Sequence, residues 1–108
     1  MRSLKVYEKL VRDKIPQIIE ASGSKCEIRI LENFEHEDSL KTKMQEELKE
    51  FLDASEDHQL EELADLVEVI HSFVRSKGVG VEELERIRKA KHEERGGFDE
   101  KIMLMSVE

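Results

Sequence analysis

Two long amphipathic runs, joined by a short polar stretch, constrain this chain more than any other feature. "SLKTKMQEELKEFLDA" places Leu40, Met44, Leu48, Phe51 and Leu52 at steps of three and four. "HQLEELADLVEVIHSFVRSKG" carries two such stripes: Leu60, Leu63, Ala64, Val67, Ile70 and Val74, then Leu66, Val69 and Phe73. That spacing is the period of an α-helix. A helix apolar over so much of its circumference is predicted to be central, packed on both sides. Only "DASEDH" separates the runs, short enough to turn the second helix back along the first as an antiparallel hairpin.

The flanking segments are shorter. "KIPQIIEASG" reads as a helix with Pro16 in its first turn and Gly23 at its stop. Gly78 and Gly80 then break the chain before "VEELERIRKAKHEER", a helix that runs from acidic to basic as its dipole favours. In "SKCEIRIL", Cys26, Ile28 and Ile30 alternate with Glu27 and Arg29, the pattern of a half-buried strand, and "EKIMLMSVE" is a second candidate. Two strands alone are marginal, so they are expected to pair with each other and pack on helices, or to pair across a dimer. The predicted fold is mainly α: a helical hairpin or bundle with a small two-stranded β element near residues 25–31 and 101–107.

A chain of 108 residues is read as one domain, 1–108. Charged residues make up 41% of it and apolar ones 38%, with no Trp, so its core is small and association of copies would enlarge it. The net charge of −8 argues against binding a nucleic acid polymer. Phosphate-bearing small molecules remain compatible, provided a metal or a basic cluster offsets the repulsion. Arg86, Arg88, Lys89, Lys91 and Arg95 supply such a cluster. Cys26 is the single cysteine, which excludes an intrachain disulfide and favours a reducing compartment. No apolar run has membrane-spanning length, and "MRSLKVYEKLVRDK" lacks the apolar centre of a signal peptide, so the expected location is the cytoplasm.

The acids of the hairpin carry the chemistry. "EELKE" supplies Glu46, Glu47 and Glu50, and "EELAD" supplies Glu61, Glu62 and Asp65. Each pattern alone is weak, since chance yields roughly six acid pairs at this spacing in so acidic a chain. The hairpin makes them specific. Glu50 and Glu62 are equidistant from the turn, and so are Glu47 and Asp65, giving two facing rungs about 4.5 Å apart along the axis. Both pairs border the apolar seam, since Glu47 precedes Phe51 and Glu62 precedes Leu66 by one turn. Four facing carboxylates there repel, and some are driven to hold a proton. A hard divalent ion relieves that repulsion. Mg²⁺ fits because it prefers oxygen ligands and bridges carboxylates to phosphates, while no His or Cys shares the cluster, which disfavours Zn²⁺. The competing reading is a solvated face on which Lys43 and Lys49 neutralise the acids.

"EELKE" followed by "EELAD" resembles the E-x-x-E…E-x-x-D pattern of the all-α nucleoside triphosphate pyrophosphatase superfamily, the MazG-like group that includes phosphoribosyl-ATP pyrophosphohydrolase. "YEKLVRDKIPQIIEASG" and "KHEERGGFDEKIML" are similar to the flanks of its small house-cleaning branch. The three motifs span nearly the whole chain. The resemblance implies Mg²⁺-dependent cleavage of a nucleoside triphosphate, canonical or damaged, between its α and β phosphates, with Mn²⁺ a possible substitute. It places metal ligation on Glu47, Glu50, Glu62 and Asp65; one of these carboxylates, Glu50 or Glu47, could instead orient the attacking water as a base. It also implies sites built where subunits meet, hence a homodimer or homotetramer.

Two basic elements are candidate phosphate contacts. "KAKHEERGGF" sets Lys91 and Arg95 on one face before Gly96 and Gly97, either a phosphate grip or a basic helix end with a glycine stop. In "KLVRDKIP", the resemblance favours Arg12 and Lys14 over a plain solvated basic stretch. Lys89 is a lesser candidate, Glu68 reads as solvated, and His71 as a half-buried packing residue. The rival from another class is a non-catalytic helical interaction or regulatory module, or a nucleotide sensor.

Overall fold

The computed structural model describes residues 7–108; residues 1–6, part of the segment read above for a leader, lie outside them. Four helices follow in order: α1 (Ile15–Ala21), α2 (Asn33–Asp53), α3 (Gln59–Ser76) and α4 (Val81–Arg95), with one 3₁₀ turn at Glu56–His58 between α2 and α3. The fold is all-α.

Local chemistry sets most of these boundaries. Pro16 starts α1, and Gly23 at φ 93° lies just past its end, in the left-handed region that glycine adopts without a steric penalty. Helix α2 begins six residues before the predicted run. There the Glu35 carboxylate accepts a bond from the Glu32 N–H at 3.2 Å while Arg29 grips it from outside at 2.8 Å. That capping arrangement satisfies a helix-end donor without the usual Ser or Asn. Gly78 at φ 74° ends α3, and its N–H bonds to the carbonyl of Arg75 at 2.9 Å.

The core is the α2–α3 hairpin. Leu40, 2% exposed, and Val69 are its buried apolar residues, with Met44, Phe51, Leu66, Ile70 and Phe73 half-buried around them. At the open end Lys77 bonds to Glu37 and lies over the Phe73 ring. This pair, 40 residues apart in sequence, matches the antiparallel register deduced from the turn.

Two expectations are corrected. Helix α3 is packed on one side by α2, while Leu60 and Val67 on its other stripe stay exposed, because no further helix among the described residues lies along them. Helix α4 touches the hairpin only at its start: Val81, Leu84 and Glu85 are half-buried and residues 86–95 are exposed. The predicted β element is also absent among the described residues. Segments 25–31 and 101–107 have no regular structure, and neither shares a backbone hydrogen bond with the other. Alternation makes a segment suitable for a strand, but a ladder needs a second backbone beside it. The chain is accordingly elongated, 68 × 35 × 25 Å, with a radius of gyration of 18.7 Å. A compact domain of this length has a radius near ~13 Å.

Candidate functional site

The acids meet where the hairpin register places them. Glu47, Glu62 and Asp65 offer oxygens that all lie within 4.8 Å of one another. Glu47 is 7% exposed, Glu62 and Asp65 are half-buried, and Glu50 sits on the exposed side of the same cluster. Glu50 completes its rung with Glu62 electrostatically and acts on Glu47 as well.

Proton affinities record the crowding. Burial pushes the Glu47 carboxyl above the usual glutamate range, and the neighbouring Glu50 carboxylate raises it further; Lys43 offsets part of this and Asp65 adds to it. Glu62 is raised by desolvation first, then by the charges of Glu50 and Asp65. Both shifts have the direction expected of carboxylates held together at an apolar seam.

Two cations already touch the cluster. Lys43 Nζ lies 3.2 Å from Glu46 and 3.5 Å from Glu47, and Arg12 reaches from the segment before α1 to Asp65 at 2.6 Å. Lys49 turns away to Asp53 at 3.0 Å. The neutralised-face reading is therefore met only in part. Glu47 Oε2 and Glu62 Oε2 remain buried with no hydrogen-bond partner, an arrangement that folded proteins rarely tolerate without a ligand or water. An all-oxygen donor set with two orphaned oxygens fits a hard divalent ion, and Glu47, Glu62 and Asp65 could hold one.

The remaining predicted residues fall into two groups. Arg12 joins the acids, whereas Lys14 is exposed beside the start of α1. Lys91, Arg95 and Lys89 lie on the unpacked half of α4 and form no ion pair among the described residues, unlike Arg86 and Arg88, which are held by Glu83 and Glu85. One chain does not bring these α4 cations to its own acids. Glu68 pairs with Arg75 at 3.3 Å, as a solvated residue would. The sequence offered no signal for the cleft of about 210 Å³ beside α2, where Lys9 and Leu10 face Ser39, Thr42 and Lys43 next to the acids.

The sequence profile of the family described as phosphoribosyl-ATP pyrophosphohydrolase matches residues 8–94. The chain belongs to that family. The family is part of the MazG-like all-α nucleoside triphosphate pyrophosphatase superfamily, so the resemblance drawn from "EELKE" and "EELAD" holds. Its members are nucleotide pyrophosphohydrolases, acting on phosphoanhydride bonds. No curated protein and no solved structure matches the chain. The phosphoribosyl-ATP pyrophosphohydrolase match contains all four clustered acids together with Arg12, Lys14 and Lys91, and stops just short of Arg95. No helix among the described residues is long and apolar enough to cross a membrane.

Proposed function

We propose that this protein is a Mg²⁺-dependent cytoplasmic pyrophosphohydrolase of one domain. It would split a nucleoside triphosphate, canonical or damaged, between the α and β phosphates to a monophosphate and pyrophosphate. The observation that carries the reading is the pair of orphaned oxygens, on Glu47 and Glu62, inside a three-acid cluster. Its family membership supplies the phosphoanhydride.

Glu47, Glu62 and Asp65, with Glu50 at the rim, would hold the ion. Once bound, a divalent ion polarises phosphoryl oxygens and acidifies a coordinated water. The other roles belong to the chain. Glu50 is exposed and adjoins Glu47 and Glu62, so it can accept the proton of an incoming water, whereas Glu47 is buried and is one of the three acids that would hold the ion. Arg12 would hold Asp65 until substrate arrives and then contact phosphate, joined by Lys14. One water is consumed; its oxygen joins one phosphorus as the α–β bridge breaks, and the leaving phosphate oxygens are met by these cations.

Lys91 and Arg95 lie on a helix that leaves its own hairpin, so they would serve the acids of another copy. The exposed stripe of α3 and the elongated shape support a homodimer or homotetramer. The partial neutralisation of Glu47 by Lys43 and of Asp65 by Arg12 is the one observation that favours the rival, a non-catalytic helical module. A nucleotide panel assayed with Mg²⁺, scored separately for pyrophosphate and orthophosphate, decides between them. Pyrophosphate release that stops with Asp65→Asn supports the proposal, and no turnover of any nucleotide sinks it.

A further inference from the structure

The two segments that find no backbone partner among the described residues fit each other. We propose that residues 25–31 of one copy pair as an antiparallel β-ladder with residues 102–108 of a second copy, and that this exchange ties the oligomer together. The inference rests on the homo-oligomer reading above and is independent of the chemistry of the acids.

Both segments present backbone and apolar side chains to solvent. Ile30 is 86% and Met105 85% exposed, and no backbone group of residues 25–31 or 102–108 bonds to another backbone group among the described residues. Unpaired extended edges of this kind are templates for strand addition. The tail follows the half of α4 that leaves the hairpin, while segment 25–31 is held at the hairpin by Cys26, whose Sγ lies 3.8 Å from the Pro16 carbonyl, and by the Arg29–Glu35 pair. One is anchored and the other projects, the arrangement of a socket and an arm.

Charge selects the register and the direction. Antiparallel alignment that places Lys25 opposite Glu108 also brings Glu32 and Lys101, the residues flanking the other end, level with each other; the backbone of Glu32 stays in the α2 cap and Lys101 has a φ of 63°, so that end gains an opposite charge pair and no ladder bond. Between the two ends, on one face, Cys26 meets Val107, Ile28 meets Met105, and Ile30 meets Met103. A slip of one residue loses both ion pairs. Parallel alignment sets Lys25 against Lys101 and Glu32 against Glu108, like charges at both ends. In a two-fold dimer the exchange occurs twice, and its two short ladders add to the apolar surface of α3 that a partner would cover. A ladder alone would be marginal.

The register supplies its own test. Cys26 is the only cysteine of the chain and would face Val107, and facing β carbons of paired strands lie at about disulfide distance. Full-length Val107→Cys protein under mild oxidation with copper phenanthroline should run mostly as a covalent dimer on a non-reducing gel. Ser106→Cys, on the other face, should cross-link about tenfold more slowly. An intrachain disulfide in a protein of monomer mass, no cross-link, or equal cross-linking of both variants would overturn the ladder. Light scattering on the wild type separates the two levels: an oligomer without the cross-link removes the ladder alone, and a monomer removes the oligomer with it. Lys25→Glu or Glu108→Lys singly should weaken self-association roughly fivefold, and the two together should restore it. Failure of the double variant to recover contradicts the register.

Discussion

Replacing Glu47 by Gln should stabilise the metal-free protein and abolish its response to divalent ions. Glu47 is 7% exposed and faces Glu62 and Asp65 at 4.8 Å or less, against one cation, Lys43, at 3.5 Å. At an effective dielectric of 20 each repulsion costs ~3.5 kcal/mol and the attraction returns ~4.7, a net cost of ~2 kcal/mol. In a water-like dielectric the same balance falls to ~0.5 kcal/mol, so the expected gain is about 1 kcal/mol, or ~4–8 °C in Tm for a chain of this size. Wild-type protein should gain ~1.4 kcal/mol from free Mg²⁺ at ten times its Kd, a rise of ~6–11 °C. The assay is a thermal melt of both proteins at pH 8, in chelator and in a Mg²⁺ series. If Glu47→Gln melts at or below wild type in chelator and still gains stability from the ion, the buried acid is not a ligand held at an energetic cost.

The pH dependence follows from the same residues. Glu47 and Glu62 bind protons more tightly folded than unfolded, so the stability this confers is complete below the ordinary glutamate value of 4.5 and is lost as pH rises through the raised values. The Tm gap between Glu47→Gln and wild type in chelator should therefore widen as pH climbs above that value, and saturating Mg²⁺ should close it; a gap independent of pH counts against the shift. Arg12→Gln should cost the metal-free protein no more than ~1 kcal/mol, because its bond to Asp65 is solvent-exposed, yet raise KM for nucleotide; steady-state kinetics beside a melt would show an unchanged KM if Arg12 never meets phosphate. Leu40→Ala should destabilise by ~2–4 kcal/mol in denaturant titrations, and a loss under ~1 kcal/mol would place the core elsewhere.

What the sequence revealed depended on whether its signals were local. The period of the apolar residues and the short turn were enough to set Glu47 against Asp65 and Glu50 beside Glu62, because helical rise and turn length convert sequence position directly into height. Gly78, Gly80 and the acidic-to-basic gradient likewise gave the span of α4. The early start of α2 was hidden, since Glu32, Glu35 and Arg29 together do the work of a cap that Ser or Asn would have announced. Contacts between distant segments were not legible. Nothing in "KLVRDKIP" says that Arg12 reaches Asp65, 53 residues on, and the alternation of Ile28 and Ile30 reports a surface without naming what covers it. The position of Lys91 and Arg95 relative to the acids was hidden for the same reason: charge pattern locates them on a helix end, but packing decides which acids that helix end meets.

The most direct measurement of the central claim is the product of nucleoside triphosphate hydrolysis in Mg²⁺, resolved as pyrophosphate or orthophosphate, for wild type and Asp65→Asn. The account predicts monophosphate and pyrophosphate in equal amounts from the wild type and a loss of at least about a hundredfold in turnover with Asp65→Asn. Orthophosphate as the sole product, or undiminished turnover in the variant, would contradict it.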